Sequence, residues 1–265
     1  IQNNSRVQLY GKIKITGNLI NFSERPLGGV YDLVFEGKKL QKVGGNQPME
    51  FSNITFNKSK NGLMLSVPMS VQGDLNWEEP CFIQDDGRDK KQAVSVLFHE
   101  EANSTGLGWI SCSVAKTGNA AFVFPVGNQE PAYFAMDSMD KSATVTVQYF
   151  VGQTPNSIKD NQVEKNQYWE VKSSLSINNP RLFWNNNSKA TDESIDELKV
   201  MAWGEDELWK ELKSSGNGTF QSLPFIQAES DQKYQIYTFG IDSNAREEGT
   251  MSDFFDLKTR NGNRT

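Results

Sequence analysis

Val7-Gln8-Leu9-Tyr10-Gly11-Lys12-Ile13-Lys14-Ile15-Thr16-Gly17 alternates side chains without a break. Val7, Leu9, Gly11, Ile13 and Ile15 fall on one face, and Gln8, Tyr10, Lys12, Lys14 and Thr16 on the other. Successive side chains of a strand point to opposite sides, so a period of two marks a strand with one face in a core and the other in water. Such a strand pairs within its own sheet or is donated to an open sheet edge on another chain. The same period recurs in Val30 to Phe35, in Phe51 to Phe56, and in the stripe Leu63, Leu65, Val67, Met69 and Val71. It returns in Val94 to Phe98, Trp109 to Val114, Phe122 to Val126, Val145 to Val151, Tyr168 to Ile177 and Tyr234 to Ile241. Gly28-Gly29, Gly44-Gly45-Asn46, Asn61-Gly62, Asp86-Gly87 and Thr117-Gly118-Asn119 supply turn chemistry between these runs. Many short strands separated by such turns predict a mostly β chain folded as a sandwich or barrel. No long-period repeat is read from the sequence.

One region departs from this pattern. Asp192 and Glu193 precede Ser194 and Glu197, which have capping-box spacing, and Ile195, Leu198 and Met201 recur at helical intervals. Glu205 to Lys213 continues with Leu208, Trp209 and Leu212 as an inward stripe. These features predict a helical insertion over about 185–218 within a single domain spanning 1–265.

The chain has 265 residues and a net charge of -6. No Lys/Arg-rich run offers the clustered cations that a phosphate backbone demands, so nucleic acid is not an expected partner. No apolar stretch is long enough for a membrane span. The sequence starts Ile1-Gln2-Asn3-Asn4 rather than with Met, which reads as an exported chain that has lost its signal.

Catalytic chemistry is poorly supplied. His99 is the single histidine, which removes most nucleophile–histidine triads and multi-histidine metal sites. Glu78-Glu79 and Asp85-Asp86 are carboxylate pairs by type, as a glycosidase needs, but both sit beside turn residues and read as solvated loops. Asp85 to Asp89 lacks the ligand spacing of a calcium loop. The chain is therefore expected to be no enzyme, with neither metal nor cofactor. A jelly-roll glycoside hydrolase is the weakest of the readings kept open.

Cys81 and Cys112 are the only cysteines. In an exported chain they are expected to form a disulfide, the alternative being two separate buried thiols. Trp184-Asn185-Asn186 combines a ring that can stack on a sugar with amides that can bond its hydroxyls, and Trp203 lies close by in sequence. Trp184, Asn185, Asn186 and Trp203 are accordingly the candidate glycan-binding residues. Asn53, Asn103 and Asn217 head N-glycosylation sequons that also arise by chance in an Asn-rich chain.

Four stretches together resemble the chaperone–usher fimbrial subunits of enterotoxigenic Escherichia coli in which the large subunit is the lectin. They are VQLYGKIKITG (7–17), AAFVFPV with ATVTVQYFVG (within 120–152), the helical region near 192–213, and YTFGIDSNAREEGTMSDFF (237–255). The resemblance implies an immunoglobulin-like β-sandwich, here with a short helical insertion, that lacks its last strand. A periplasmic chaperone and then neighbouring fimbrial subunits would complete it. Residues 1–17 would be the donor-strand extension, with Val7, Leu9, Ile13 and Ile15 filling a groove and Gly11 placed where no side chain fits. It further implies a cell-surface fimbrium and host carbohydrate as ligand. A free-standing, secreted, lectin-like interaction domain is the main alternative. Three departures accompany the likeness: the cysteine pair, the polar ending Asn261-Gly262-Asn263-Arg264-Thr265, and the divergent sequence of the insertion.

Overall fold

A computed structural model of the chain describes residues 2–3, 8–58, 61–87, 94–152, 154–155, 163, 167–183, 198–230 and 232–241. Its first half is a coil of parallel strands. One wall stacks Gln2–Asn3, Leu19–Asn21, Gln41–Gly45, Leu63–Leu65, Phe82–Asp85 and Trp109–Ile110. A second stacks Gln8–Ile15, Gly28–Glu36, Asn53–Asn57, Asp74–Trp77 and Asn103–Thr105, and a third begins with Met49–Phe51, Met69–Val71, Ser95–Phe98 and Ser113–Gly118. Within the coil every neighbouring pair is parallel. The chain thus winds round and round as a stacked β-solenoid.

Parallel stacking places equivalent residues of successive turns above one another. Leu33, Ile54 and Leu75 are mutual register partners, and so are Phe35, Phe56 and Trp77. Each step is 21 residues, and the three rings form a ladder inside the core: Phe35–Phe56 at 5.5 Å and 13°, Phe56–Trp77 at 4.6 Å and 16°. A repeat therefore exists in space. It is carried by inward position rather than by a recurring motif, and corners of unequal length blur it. Leu75 to its partner Ser104, for instance, is a step of 29 residues.

The third wall does not stop with the coil. Ser113–Gly118 pairs antiparallel with Ala143–Val151, and Gln167–Lys172, Tyr234–Ile241, Leu198–Gly204 and Trp209–Leu212 extend the same sheet to nine strands. A second antiparallel sheet, of Phe122–Phe124, Phe134–Met136, Arg181–Phe183, Leu223–Ala228 and Ser214–Phe220, contacts its inner side through Phe134 and Tyr237 at 5.3 Å. One apolar cluster runs from Ile15 in the coil to Phe239 in the antiparallel part.

The immunoglobulin-like sandwich with a helical insertion is therefore corrected to an all-β solenoid that ends in antiparallel sheets. No helix occurs among the described residues. Where it is described, the predicted insertion is three strands joined by short turns: Leu198–Gly204, Trp209–Leu212 and Ser214–Phe220. Leu198, Val200, Met201 and Ala202 are all buried; the strand lies second from the sheet's edge, paired on both sides. A short strand buried on both faces shows a run of apolar residues, and such a run also satisfies helical spacing. Leu208, expected inward, is 60% exposed.

The N-terminal segment forms the strand Gln8–Ile15, paired with Gly28–Glu36 over eight residues. Leu9, Gly11, Ile13 and Ile15 thus lie in a sheet of their own chain, while Val7 falls outside the described residues. Gly11 has φ +79° and open space where a Cβ would stand, so the left-handed backbone selects glycine here rather than a tight groove. Close approach does select Gly62, where a Cβ would lie 1.8 Å from the Phe82 carbonyl oxygen of the next turn.

Cys81 and Cys112 are both buried free thiols, which corrects the expected disulfide. Phe82 pairs with Trp109 and Ile83 with Ile110. Continuing that register puts Cys112 above Asp85, four residues and so about 13 Å along the wall from Cys81. A disulfide needs Cα atoms within about 7 Å. Burial pushes each thiol up to about 12. In the unfolded chain the thiols ionise near 9, so between 9 and 12 the native state holds the extra protons and stability falls as pH rises. Buried Lys58 and Lys116, lowered from their usual value chiefly by burial, oppose this below 10.5. Urea midpoints compared at pH 8 and 10.5 are expected to drop, and a Cys81→Ala/Cys112→Ala variant is expected to drop less, by about 1.4 kcal/mol per thiol and pH unit at most. Equal slopes for parent and variant would exclude the thiols as the cause.

Two lysines are almost wholly inside. Lys58 Nζ donates to the carbonyls of Gly37 and Lys39 and to Gln41 Oε1, while Gln41 Nε2 donates onward to the carbonyls of Ile15 and Gly17. One corner of three successive turns is pinned by this relay. Lys116 Nζ donates to the carbonyls of His99, Glu100 and Ala102, each at 2.7 Å. In both cases three acceptors meet the three donors of an ammonium group, which is the condition for tolerating its burial.

Candidate functional site

The nine-stranded sheet has one face in the core and one turned outward, and strand periodicity sorts its side chains between them. Val147, Trp169, Val171, Val200, Ala202 and Tyr237 are buried inward. Their neighbours in sequence alternate to the other face, where Gln148, Tyr168, Glu170, Ile236 and Trp203 are half-buried and Met201 and Thr238 are buried. A row runs across five strands in register: Trp209 opposite Trp203, Trp203 opposite Ile236, Ile236 opposite Glu170, Glu170 opposite Gln148. All five are half-buried. One two-residue step away on the same face, Tyr168 lies opposite Phe150.

The aromatic residues form two platforms. Phe150 and Tyr168 stack with centroids 4.9 Å apart and planes 14° apart. Trp203 and Trp209 meet at 5.6 Å and 59°. Three strand spacings and one two-residue step separate the pairs, roughly 16 Å. Glu170 and Gln148 lie level with the tryptophans on the intervening and adjoining strands. The solenoid part of the same face is low, with Ser70, Ser95, Ser113 and Ala115 at outward positions. Rings can cover a sugar face or an apolar side chain, and the amide and carboxylate between them can bond hydroxyls.

Charge on this face is internally matched. Lys172 pairs with Glu170 at 3.2 Å and, at the rim, Lys233 with Glu205 at 3.3 Å; Lys210, opposite inward Ala202, pairs with Asp206 at 2.5 Å on the other side of the edge strand. The hydrogen bond between Asp206 and Lys210 lowers the carboxyl and raises the amine. Tyr168 is raised by burial first and by Glu170 second, which keeps it a neutral phenol with an O–H to donate.

Of the residues proposed from sequence, Trp203 is on this face, and Trp184, Asn185 and Asn186 lie outside the described residues. Trp209, which helical spacing assigned to the core, faces outward because a strand, not a helix, carries it. Phe150, Tyr168, Gln148 and Glu170 were missed. Their signal was present as the polar-side positions of two alternating runs, but which runs become neighbours depends on the sheet order. Glu78 and Glu79 are exposed at a corner, and Asp86 is held by Lys42 at 2.8 Å. Among the described residues no three His, Cys, Asp or Glu side chains cluster as a metal site would require. No family model, curated protein or solved structure matches the chain.

Proposed function

We propose that this chain is a non-catalytic binding module of an exported adhesive protein, and that it holds glycan on the outward face of its nine-stranded sheet. The observation that carries this reading is the pair of aromatic platforms, Phe150–Tyr168 and Trp203–Trp209, on one face of one sheet. The rigid sheet presets ring positions, so binding costs little ordering of the protein. The free-standing module is preferred to a strand-exchanging fimbrial subunit. Donating Gln8–Ile15 to another chain would dismantle eight residue pairs of its own ladder.

Adhesion of beads coated with the chain to a mucin-covered surface tests the reading. A Phe150→Ala/Tyr168→Ser/Trp203→Ser variant is expected to lose most adhesion while costing about 1 kcal/mol of stability per cross-strand pair. A control with Thr55→Ala/Asn76→Ala, on the outward face of the second wall, is expected to adhere like the parent. Full adhesion by the platform variant would reject this face as the binding surface.

A further inference from the structure

We infer that the ligand of this face is a neutral, extended polysaccharide lying across the strands and touching both platforms at once. The inference rests on the outward face being the binding surface and adds the chemistry and shape of what it holds.

Charge decides the first property. An acidic glycan, sialylated or sulfated, needs cations free to meet its carboxylates or sulfates. Lys172 and Lys233, on this face and at its rim, are each already in an ion pair with a carboxylate. An anionic ligand would have to break these pairs, and it would approach a chain of net charge -6. A neutral sugar leaves the pairs intact and needs only ring stacking and hydroxyl partners, which Gln148, Glu170 and the Tyr168 hydroxyl supply.

Geometry decides the second. The platforms are roughly 16 Å apart across the strands, farther than one or two sugar rings reach. On the tryptophan row the ground between them is half-buried Ile236 and Glu170, while on the next row Thr238 and Met201 are buried, which leaves the tryptophan row as the track. A short sugar would therefore use one platform, and a longer chain would use both. The second contact of a longer chain is then intramolecular, and its effective concentration raises affinity without any new kind of contact.

Affinity electrophoresis in native gels containing galactomannan, xyloglucan or hydroxyethylcellulose, with heparin and hyaluronate gels alongside, tests the inference on the full chain. The expected result is retardation by at least one neutral polymer and none by the acidic ones. Trp203→Ser and Tyr168→Ser are each expected to weaken that retardation about tenfold. Because either change could also disturb the sheet, their urea midpoints are measured with them, and Thr55→Ala/Asn76→Ala serves as the control. Oligosaccharides of the retarding polymer are expected to compete well as hexamers and poorly as dimers, and either single variant is expected to abolish that difference. Retardation by heparin or hyaluronate alone, no retardation by any neutral polymer, or neutral binding indifferent to both variants would overturn the inference. If the platform variant also abolishes bead adhesion while neutral polymers neither retard the chain nor compete, the face remains the binding surface and only the ligand class is wrong.

Discussion

Lys116→Met is expected to destabilise the protein by about 3 kcal/mol, near the lower end for removing one partner from a buried charged network. Lys116 is 2% exposed, and its ammonium is the donor shared by the carbonyls of His99, Glu100 and Ala102. Methionine keeps most of the stem and its packing, including the approach to the Phe122 ring, where Nζ now lies 5.1 Å from the centroid. The loss therefore reports on the polar end. The His99 carbonyl keeps a second donor, the Ala102 backbone N–H at 2.9 Å, so the carbonyls of Glu100 and Ala102 bear most of the change. Each buried acceptor left without a donor costs about 1–3 kcal/mol, offset in part by no longer burying a charge. Urea unfolding measures the difference, and proteolysis should become faster at 99–102, the turn the ammonium organises. A Lys116→Met protein as stable as the parent would mean that desolvation of the ammonium cancels its three hydrogen bonds.

Phe56→Ala should cost about 3–5 kcal/mol, the range for deleting a buried aromatic side chain. Phe56 has no exposed surface, and its ring is covered on one side by Phe35 and on the other by Trp77. Its loss opens a void between two turns of the coil, where the backbone ladders on either side prevent collapse. Phe56→Leu refills much of the volume without the stacking and should cost less than half as much. Trp77 is a built-in reporter, since its emission should shift to the red as water gains access to the void. Equal losses for Leu and Ala would show that ring stacking, not volume, is what the ladder contributes.

Strand positions are legible where alternation is a local property: Gln8–Ile15, Ala143–Val151 and Tyr234–Ile241 lie where period-two runs stand, whereas the run Trp109–Val114 divides into Trp109–Ile110 and Ser113–Gly118. Which strand lies beside which is not. Asn61-Gly62 and Asp86-Gly87 suit hairpins, yet they are corners of a coil in which strands run parallel. The stretch Leu198–Gly204 satisfies helical spacing because a strand buried on both faces loses its alternation.

The sequence by itself determined a largely apolar inward face, a set of short strands, the turns at Asn61-Gly62 and Asp86-Gly87 though not those expected at Gly28-Gly29 and Gly44-Gly45, which lie in strands, and the small supply of histidine and cysteine. Those follow from side-chain type and from the geometry of one strand. Only the tertiary structure decided that the turns stack about 21 residues apart, that Cys81 and Cys112 lie too far apart to bond, and that Phe150, Tyr168, Trp203 and Trp209 share one face. The physical reason is common to all three. Each depends on the register between strands distant in the chain, and register is set by how the whole apolar cluster packs rather than by any residue's neighbours in sequence.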